Sequence, residues 1–328
     1  MKLTKFHGNP ILVPNPANSW ESLSVCNPGV WYEKGVFYLL YRAAGNAPSH
    51  KIFLGLATSR DGFNFERVSD KPVLSPSADG PDAGSIEDPR IVKFGDFFYI
   101  TYAYRPFPPG QYWLHHQGLA YMPDGPPEAP RLIKENLTNT GILMSKDLRT
   151  FHRMGRLTEP NSDNRDVMFF PEKVNGKYIL LHRKKELHGP PCPSIWISFM
   201  DNLMDYNDGV LLVKNEYWWE TKIGGGCPPL KTDAGWLFIY HGVCPKGVYR
   251  AGVIMLDLED PRKVIARSSE PILEPEYDYE INGLWSSCVF PCGSVIVDDT
   301  LFVYYGAADK HIGAATCKVR ELIEHLNN

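Results

Sequence analysis

One pattern recurs five times along this chain: a turn residue, an aromatic-rich β run, then a polar side chain. The instances span Gly35–Tyr41, Asp96–Tyr102, Gly176–His182, Gly235–His241 and Asp299–Tyr305. Each opens on Gly or Asp and continues in β-branched, aromatic or aliphatic residues, which is how a strand with a tight entry turn reads. A second apolar run follows each: Leu54–Thr58, Gly141–Ser145, Ile195–Ser198, Ala251–Leu256 and Ile312–Thr316. Three of these pass into a bend built on aspartate, at Ser59–Phe65, Ser145–Phe151 and Asp257–Pro261. There the carboxylate can bond the backbone of its own turn.

Repetition on this scale restricts the architecture. Strand pairs recurring every 60 to 80 residues, roughly, are too widely spaced for WD40 or kelch blades. Five such groups with long loops fit an all-β fold, a five-bladed β-propeller. A β-sandwich of similar hairpins is the competing architecture, and fivefold recurrence favours the propeller. Amphipathic helix appears only at the end, over Val319–Leu326. No linker or low-complexity stretch interrupts the pattern, so residues 1–328 are expected to form a single domain.

Composition removes several functional classes. The net charge is −4, with no long run of one sign. That argues against a nucleic acid or a membrane surface as partner, since both need a concentrated basic field. A small anion remains compatible, because a local basic pocket does not show in a net charge. The N-terminus lacks a sustained apolar stretch of the signal-peptide kind, and no segment is long enough to span a bilayer. The seven cysteines are Cys26, Cys192, Cys227, Cys244, Cys288, Cys292 and Cys317. They are odd in number and scattered, which reads as buried free thiols in a reducing compartment. The expected location is therefore cytoplasmic. Cys288 and Cys292 have no matching pair at zinc-finger spacing, so no metal is expected. The oligomeric state stays open, a homo-oligomer included.

In a propeller, strand ends at equivalent repeat positions meet at one mouth. Arg42, Arg183, His241 and Asp309 stand at or just past the ends of repeated runs and would converge there from four blades. Each alone reads as well as a solvated strand end; the set at equivalent positions reads as a shared site. Gly84–Ile91 places Glu87, Asp88 and Arg90 before the second repeat, with Asp88 ahead of a proline and so expected on extended backbone. Thr221–Pro229 is a Gly-rich loop carrying Lys222, and three glycines permit close approach to a ligand. It has no Walker pattern, which excludes nucleotide binding of that type.

At these residues the chain resembles glycoside hydrolase family 130, the β-mannoside phosphorylases and related β-mannosidases. The resembling motifs are Glu87–Ile91, Asn164–Lys173, Leu181–Arg183, Lys222–Gly224, Ile239–Val243, Phe290–Gly293 and Tyr304–Asp309. The family fold is a five-bladed propeller and its members invert at the anomeric carbon. The resemblance implies that Asp88 is the general acid, working through a sugar hydroxyl in the phosphorylases. It implies that Arg165, Arg183, Lys222 and His241 hold phosphate. Asn27, Arg42 and Asp309 match residues that hold the sugar, and Glu87 and Arg90 accompany them in the acid's motif. The chain departs from the family at Asn282–Cys288, where it reads Asn-Gly-Leu-Trp-Ser-Ser-Cys and many family phosphorylases read Gly-Asp-Val-Pro-Asn before the Phe-Pro-Cys motif. That segment is expected on the acceptor side.

The chemistry explains the cations. Inverting hydrolysis needs a second carboxylate to deprotonate water. Phosphate carries about −1.5 to −2 charge at neutral pH and needs a cationic cradle instead of a base. Two arginines can each grip two oxygens, while Lys and His add point charge and a donor. The expected function is an inverting β-mannoside phosphorylase, with inorganic phosphate as co-substrate and no cofactor, acting on a β-mannoside oligosaccharide. The alternative is an inverting β-mannosidase, for which Glu172 and Glu87 are the candidate bases. A non-catalytic glycan-binding propeller is less well supported, because binding a neutral sugar does not call for four cations.

Overall fold

The computed structural model describes residues 1–117, 128–184 and 194–327; Cys192 lies outside them. Five groups of antiparallel strands follow one another along these residues. The first comprises Ser24–Glu33, Val36–Ala44, Ile52–Ser59 and Glu66–Arg67. The second comprises Ser85–Phe94, Phe97–Arg105, Asn139–Ser145 and His152–Arg156. The third holds Asn164–Phe169, Tyr178–Lys184, Ile195–Met200 and Val210–Val213. The fourth holds Lys222–Gly225, Gly235–Val243, Tyr249–Leu256 and Val264–Arg267, with Leu230–Thr232 pairing further along its second strand. The fifth joins Val289–Val297, Thr300–Ala307 and His311–Lys318 to Thr4–Lys5, from the other end of the chain. A single parallel pair, Ile52 with Ser85, merges the first two groups into one sheet. The C-terminal helix spans Val319–Leu326, the boundaries expected from its amphipathic pattern. Among the described residues no helix is long and apolar enough to cross a membrane.

The repeated aromatic run is the second strand of every group, preceded by an opening strand that the sequence pattern does not show. The opening strands carry Pro, Gly and polar residues, such as Cys26-Asn-Pro-Gly29 and Glu87-Asp-Pro-Arg90, and so lack a strand's pattern. They pair nonetheless, by way of bulges. Register slips between Cys26 and Gly29, Glu87 and Arg90, Arg165 and Met168, and Pro291 and Gly293. At three of these bulges a polar residue takes a left-handed backbone: Asn27 at φ 47°, Asp88 at 51° and Asp166 at 54°. Asp88 is therefore not extended. The bulge overrides the usual preference of a pre-proline residue, and Asn and Asp are the non-glycine residues that tolerate this region best.

The apolar core is divided among interfaces between groups. Leu40, Leu54, Ile86 and Ile100 join the first to the second, and Val92, Ile142, Phe169 and Leu180 the second to the third. Met168, Leu181, Trp236 and Phe238 join the third to the fourth; Leu237, Val253, Val303 and Tyr305 join the fourth to the fifth. Leu39, Tyr41, Tyr304 and Ile312 join the fifth to the first. Each fully buried side chain of this kind contributes about 1.5–3 kcal/mol.

A polar lock repeats with the strands. Tyr41, Tyr102, Tyr240 and Tyr305 each lie opposite a glycine of the third strand, namely Gly55, Gly141, Gly252 and Gly313. Their hydroxyls donate to Glu21, Asp82, Glu220 and Glu280. The same carboxylates accept from Arg67, Arg153, Arg267 and Lys5 of the fourth strands. Lys5 filling the cation's place shows that Thr4–Lys5 serves as the fifth group's outer strand. The third group departs: His182 stands in the tyrosine's place, facing Trp196, and bonds Ser198.

Candidate active site

Period-two alternation along the second strands decides which side chains reach the site. Tyr41, His182 and Tyr240 turn into the sheet packing, and their successors Arg42, Arg183 and His241 face a common cavity. In the second group Ala103 follows the tyrosine. The cation there comes from Arg105, two residues on and so on the same face. The opening strands contribute Asn27, Glu87, Asp88, Arg165, Asp166 and Lys222. Asp309 enters from the turn after the fifth group's second strand, at φ 54°. The cavity has a volume of about 410 Å³.

One wall is acidic and mixed. Asn27 Nδ2 donates to Asp88 Oδ1 at 2.8 Å. Arg42 Nη1 lies 3.3 Å from Asp88 Oδ1 and 3.4 Å from Glu87 Oε2. Glu87 also accepts from Ser85 Oγ at 2.7 Å and has Arg105 Nε at 3.5 Å. These surroundings separate the two neighbouring carboxyls. Burial raises the Asp88 pKa; Arg42 opposes this and the Glu87 charge adds to it. Burial also acts upward on Glu87, but Arg42 and Arg105 outweigh it and hold that group below its usual value. Environments that push two neighbouring carboxyls apart in this way mark the one with the raised pKa as the acid and the other as the anion. Tyr112 Oη donates to Asp309 Oδ2 at 2.8 Å and accepts from Arg42 Nη2 at 3.3 Å, tying the two sides of the wall together.

A second part of the lining is cationic. Arg165 is held by a two-pronged bond to Asp163, Nε to Oδ1 at 2.6 Å and Nη2 to Oδ2 at 2.7 Å. Arg183 Nε donates to Asp166 Oδ2 at 2.5 Å, and His241 Nε2 lies 3.7 Å from the same oxygen. Burial acts to raise Asp166, yet the Arg183 and Arg90 guanidinium groups hold it far below the carboxylate range. Lys222 Nζ donates to Tyr249 Oη at 2.9 Å. A Cβ on Gly224 would fall 2.3 Å from Asp166 Oδ2 and 2.6 Å from His241 Cε1, so only glycine lets the strand lie against this cluster. Burial first, and then the Arg183 and Lys222 charges, push His241 down to about 3, so its imidazole is neutral; Asp166 acts the other way. Both His241 ring nitrogens, Asn27 Oδ1 and Arg42 Nε are buried without a hydrogen-bond partner among the described residues. Buried polar atoms are normally paired, and atoms left over at a cavity wall mark where a polar ligand binds.

Of the site residues expected from sequence, Asn27, Arg42, Glu87, Asp88, Arg165, Arg183, Lys222, His241 and Asp309 line the cavity. Arg90 does not. It lies behind the wall, 2% exposed, donating to the carbonyls of Asp88 at 2.9 Å and Gly226 at 3.0 Å and reaching Asp166 at 3.4 Å. It braces the acid's bulge and the Gly-rich loop. Glu172 is a half-exposed partner of Lys231, away from the cavity. Sequence reasoning missed Arg105, Tyr112, Asp166 and Tyr249, all of which line the cavity, and reached Trp285 only as part of the Asn282–Cys288 segment expected on the acceptor side. Arg105 could have been found from its period-two relation to Ala103, and Asp166 from its place in the same motif as Arg165. Tyr112, Tyr249 and Trp285 sit outside the second strands and carry no repeat signal.

Comparison with known proteins agrees with this geometry. A family model described as β-1,4-mannooligosaccharide phosphorylase matches residues 2–108 and 134–328. The 1,2-β-oligomannan phosphorylase of Thermoanaerobacter sp. (strain X514) is 38% identical over 330 residues, covering 98% of this chain and 99% of that protein. A β-1,2-mannobiose phosphorylase of the same organism is 41% identical over 329 residues, covering 96% of each. Among solved structures, the β-1,2-mannobiose phosphorylase of Listeria innocua in complex with β-1,2-mannobiose superposes with a TM-score of 0.81 at 26% identity, covering 100% of this chain and 99% of that one. The match runs through the strands that build the cavity, and the chain belongs to glycoside hydrolase family 130.

Proposed function

We propose that this protein is an inverting β-mannoside phosphorylase whose substrates are β-1,2-linked mannosides. The observation that carries this reading is the gathering of Arg165, Arg183, Lys222 and His241 in one cavity with Asp88, whose carboxyl pKa is raised by burial. Phosphate held by the cations attacks the anomeric carbon on the face away from the leaving sugar. The carbon–oxygen bond to the leaving sugar breaks, and the Asp88 proton reaches the departing oxygen, relayed through a mannose hydroxyl as the family resemblance implies. The products are α-mannose 1-phosphate and the acceptor sugar. Asn27, Arg42 and Asp309 hold the mannose, and Glu87 keeps a negative charge beside the acid.

Hydrolysis is less well supported. Glu87 and Asp166, the carboxylates nearest Asp88 and the cations, are both tied to guanidinium groups and held ionised. A base so stabilised has little drive to take a proton from water. The β-1,2 assignment rests on the two relatives that align over nearly the whole chain, both named for that linkage. The family model's description names β-1,4 instead, but a family model spans members of differing linkage.

The same reading includes the architecture: residues 1–328 as one five-bladed propeller. Five strand groups, five apolar interfaces including one from the last group back to the first, and the N-terminal strand completing the last group support it. A cytoplasmic location accords with a phosphate-consuming reaction and with six free thiols among the described cysteines.

The test is product analysis on β-1,2-, β-1,3- and β-1,4-mannobiose, with and without phosphate. Phosphate-dependent α-mannose 1-phosphate from the β-1,2 substrate is expected. Free mannose at a rate indifferent to phosphate would overturn the phosphorylase reading, and preference for another linkage would overturn the β-1,2 assignment.

A further inference from the structure

The side chains assigned above to the transferred mannose and to phosphate are deeply placed. Asn27 is 3% exposed, Arg42 6% and His241 0%. Among the described residues that line the cavity only Trp285 and Glu135 are exposed, which marks them as its rim. Trp285 is 39% exposed, an unusual state for the largest apolar side chain. Its segment is nevertheless fixed. The Trp285 N–H donates to Ala308 O at 3.1 Å, Ser287 N to Ile281 O at 3.0 Å and Cys288 N to Glu280 O at 2.9 Å. Gly283 is pressed so close to Ala308 that a Cβ there would sit 2.2 Å from its carbonyl oxygen. Ala308 directly precedes Asp309, so the indole is held in register with the sugar side of the cavity.

The orientation of the ring is also set. Trp285 Nε1 donates to Gly247 O at 3.2 Å, and the ring meets Tyr249 edge-on, centroids 5.9 Å apart at 89°. With its N–H committed, the indole offers the cavity mouth an apolar face and no donor. A pyranose presents a matching surface, its row of ring C–H groups, and an aromatic face is what stacks against it. The leaving sugar must occupy the open end of the cavity, because the buried end holds the mannose that is transferred.

We propose that the Trp285 indole is the platform on which the acceptor sugar rests, and that it sets which acceptor the enzyme takes. This rests on the phosphorylase reading above for the direction in which the two sugars lie. The residue is a specificity determinant and takes no part in moving the proton or phosphate.

The experiment runs the reaction in reverse, from α-mannose 1-phosphate and mannose, on the wild type, Trp285→Ala and Trp285→Phe. In the alanine variant the KM for mannose as acceptor is expected to rise about tenfold, the scale of a lost aromatic contact. The KM for α-mannose 1-phosphate should stay within about twofold, and phenylalanine should restore most of the acceptor affinity. An acceptor KM unchanged in the alanine variant would overturn the proposal. So would an equal rise in both KM values, which would place the indole's effect on the phosphate side through Tyr249. If the wild type makes no product from α-mannose 1-phosphate, the phosphorylase reading fails by itself. Calorimetric titration with β-1,2-mannobiose then decides the platform: weaker binding by the alanine variant supports it, and equal binding overturns it.

Discussion

Asn27 and Asp88 meet across two strand groups, Asn27 Nδ2 donating to Asp88 Oδ1 at 2.8 Å, each from a bulge where its own backbone is left-handed. The bulges swing both side chains out of strand alternation and toward each other. Asparagine tolerates φ 51° about as well as aspartate, so Asp88→Asn should fold normally. It removes the proton donor and leaves the cations in place. Phosphorolysis should fall by about 10²–10⁴-fold, the range of a lost general acid. Phosphate binding, followed by calorimetry, should persist. A variant with near wild-type turnover would remove Asp88 from the reaction.

The contrast between Glu87 and Asp88 makes a pH prediction. Asp88 must be protonated to act, so activity is lost as pH rises through its pKa. Burial lifts that pKa and the Glu87 charge lifts it further. Replacing Glu87 with glutamine removes the second contribution while keeping a group that can accept from Ser85. The Asp88 pKa should then drop, and the alkaline limb of kcat against pH should move to lower pH. A limb that stays put, measured at fixed saturating phosphate, would mean that the Glu87 charge does not act on the acid.

The short contact between Arg183 and Asp166 aims a guanidinium at the cavity. Arg183→Ala should lower phosphorolysis by at least about a hundredfold, through lost stabilisation of the attacking anion. It also leaves Asp166 buried with only Arg90 and neutral His241 nearby, so the protein should be less stable by about 3–5 kcal/mol, as when one partner of a buried pair is removed. Asp166→Asn keeps the shape but loosens the aim of Arg183, and its effect should appear mainly in the KM for phosphate. Phosphorolysis assays with phosphate titration, together with urea unfolding, separate these outcomes.

Much of this was legible because repeats expose equivalence. The second strands declare themselves by composition, and the residue after each repeated tyrosine or histidine pointed to Arg42, Arg183 and His241. The opening strands were not legible, since Pro28, Pro89 and Pro291 break a strand's pattern and only the folded bulge shows that pairing continues around them. The left-handed turn at Asp88 was hidden for the same reason. A pre-proline residue is read as extended unless the neighbouring strand's register is known. Arg90 looked like a ligand contact because it shares a motif with the acid, but three residues on a bulge can face three ways. Tyr112 and Trp285 come from connections, and Tyr249 opens a third strand outside the repeated run, so no periodicity said which side chain turns inward.

Charged pairs in this fold divide sharply by burial, and the repeated tyrosine lock tests that division. Glu220 is fully buried and accepts from Tyr240 Oη at 2.6 Å, from Arg267 Nη2 at 2.7 and 2.8 Å, and from the backbone of Glu216 and Tyr217 at 2.8 and 3.1 Å. Glu220→Ala removes the buried partner of Arg267, whose side chain is 8% exposed, leaving that guanidinium the Lys214 carbonyl at 2.9 Å and Glu216 at 3.6 Å, and leaves the tyrosine hydroxyl and two amides without their acceptor. The expected loss is about 3–5 kcal/mol. Tyr240→Phe removes one donor to a charged acceptor and should cost about 1.5–3 kcal/mol. Glu172 and Lys231 form an ion pair too, but their side chains are 48% and 54% exposed. Solvent screens that pair, so Glu172→Ala should cost no more than about 1 kcal/mol. Urea midpoints of the three variants should therefore fall in the order Glu220→Ala, Tyr240→Phe, Glu172→Ala, largest shift first. If Glu220→Ala were as mild as Glu172→Ala, the lock would be an ornament of the repeat and the apolar interfaces alone would hold the groups together.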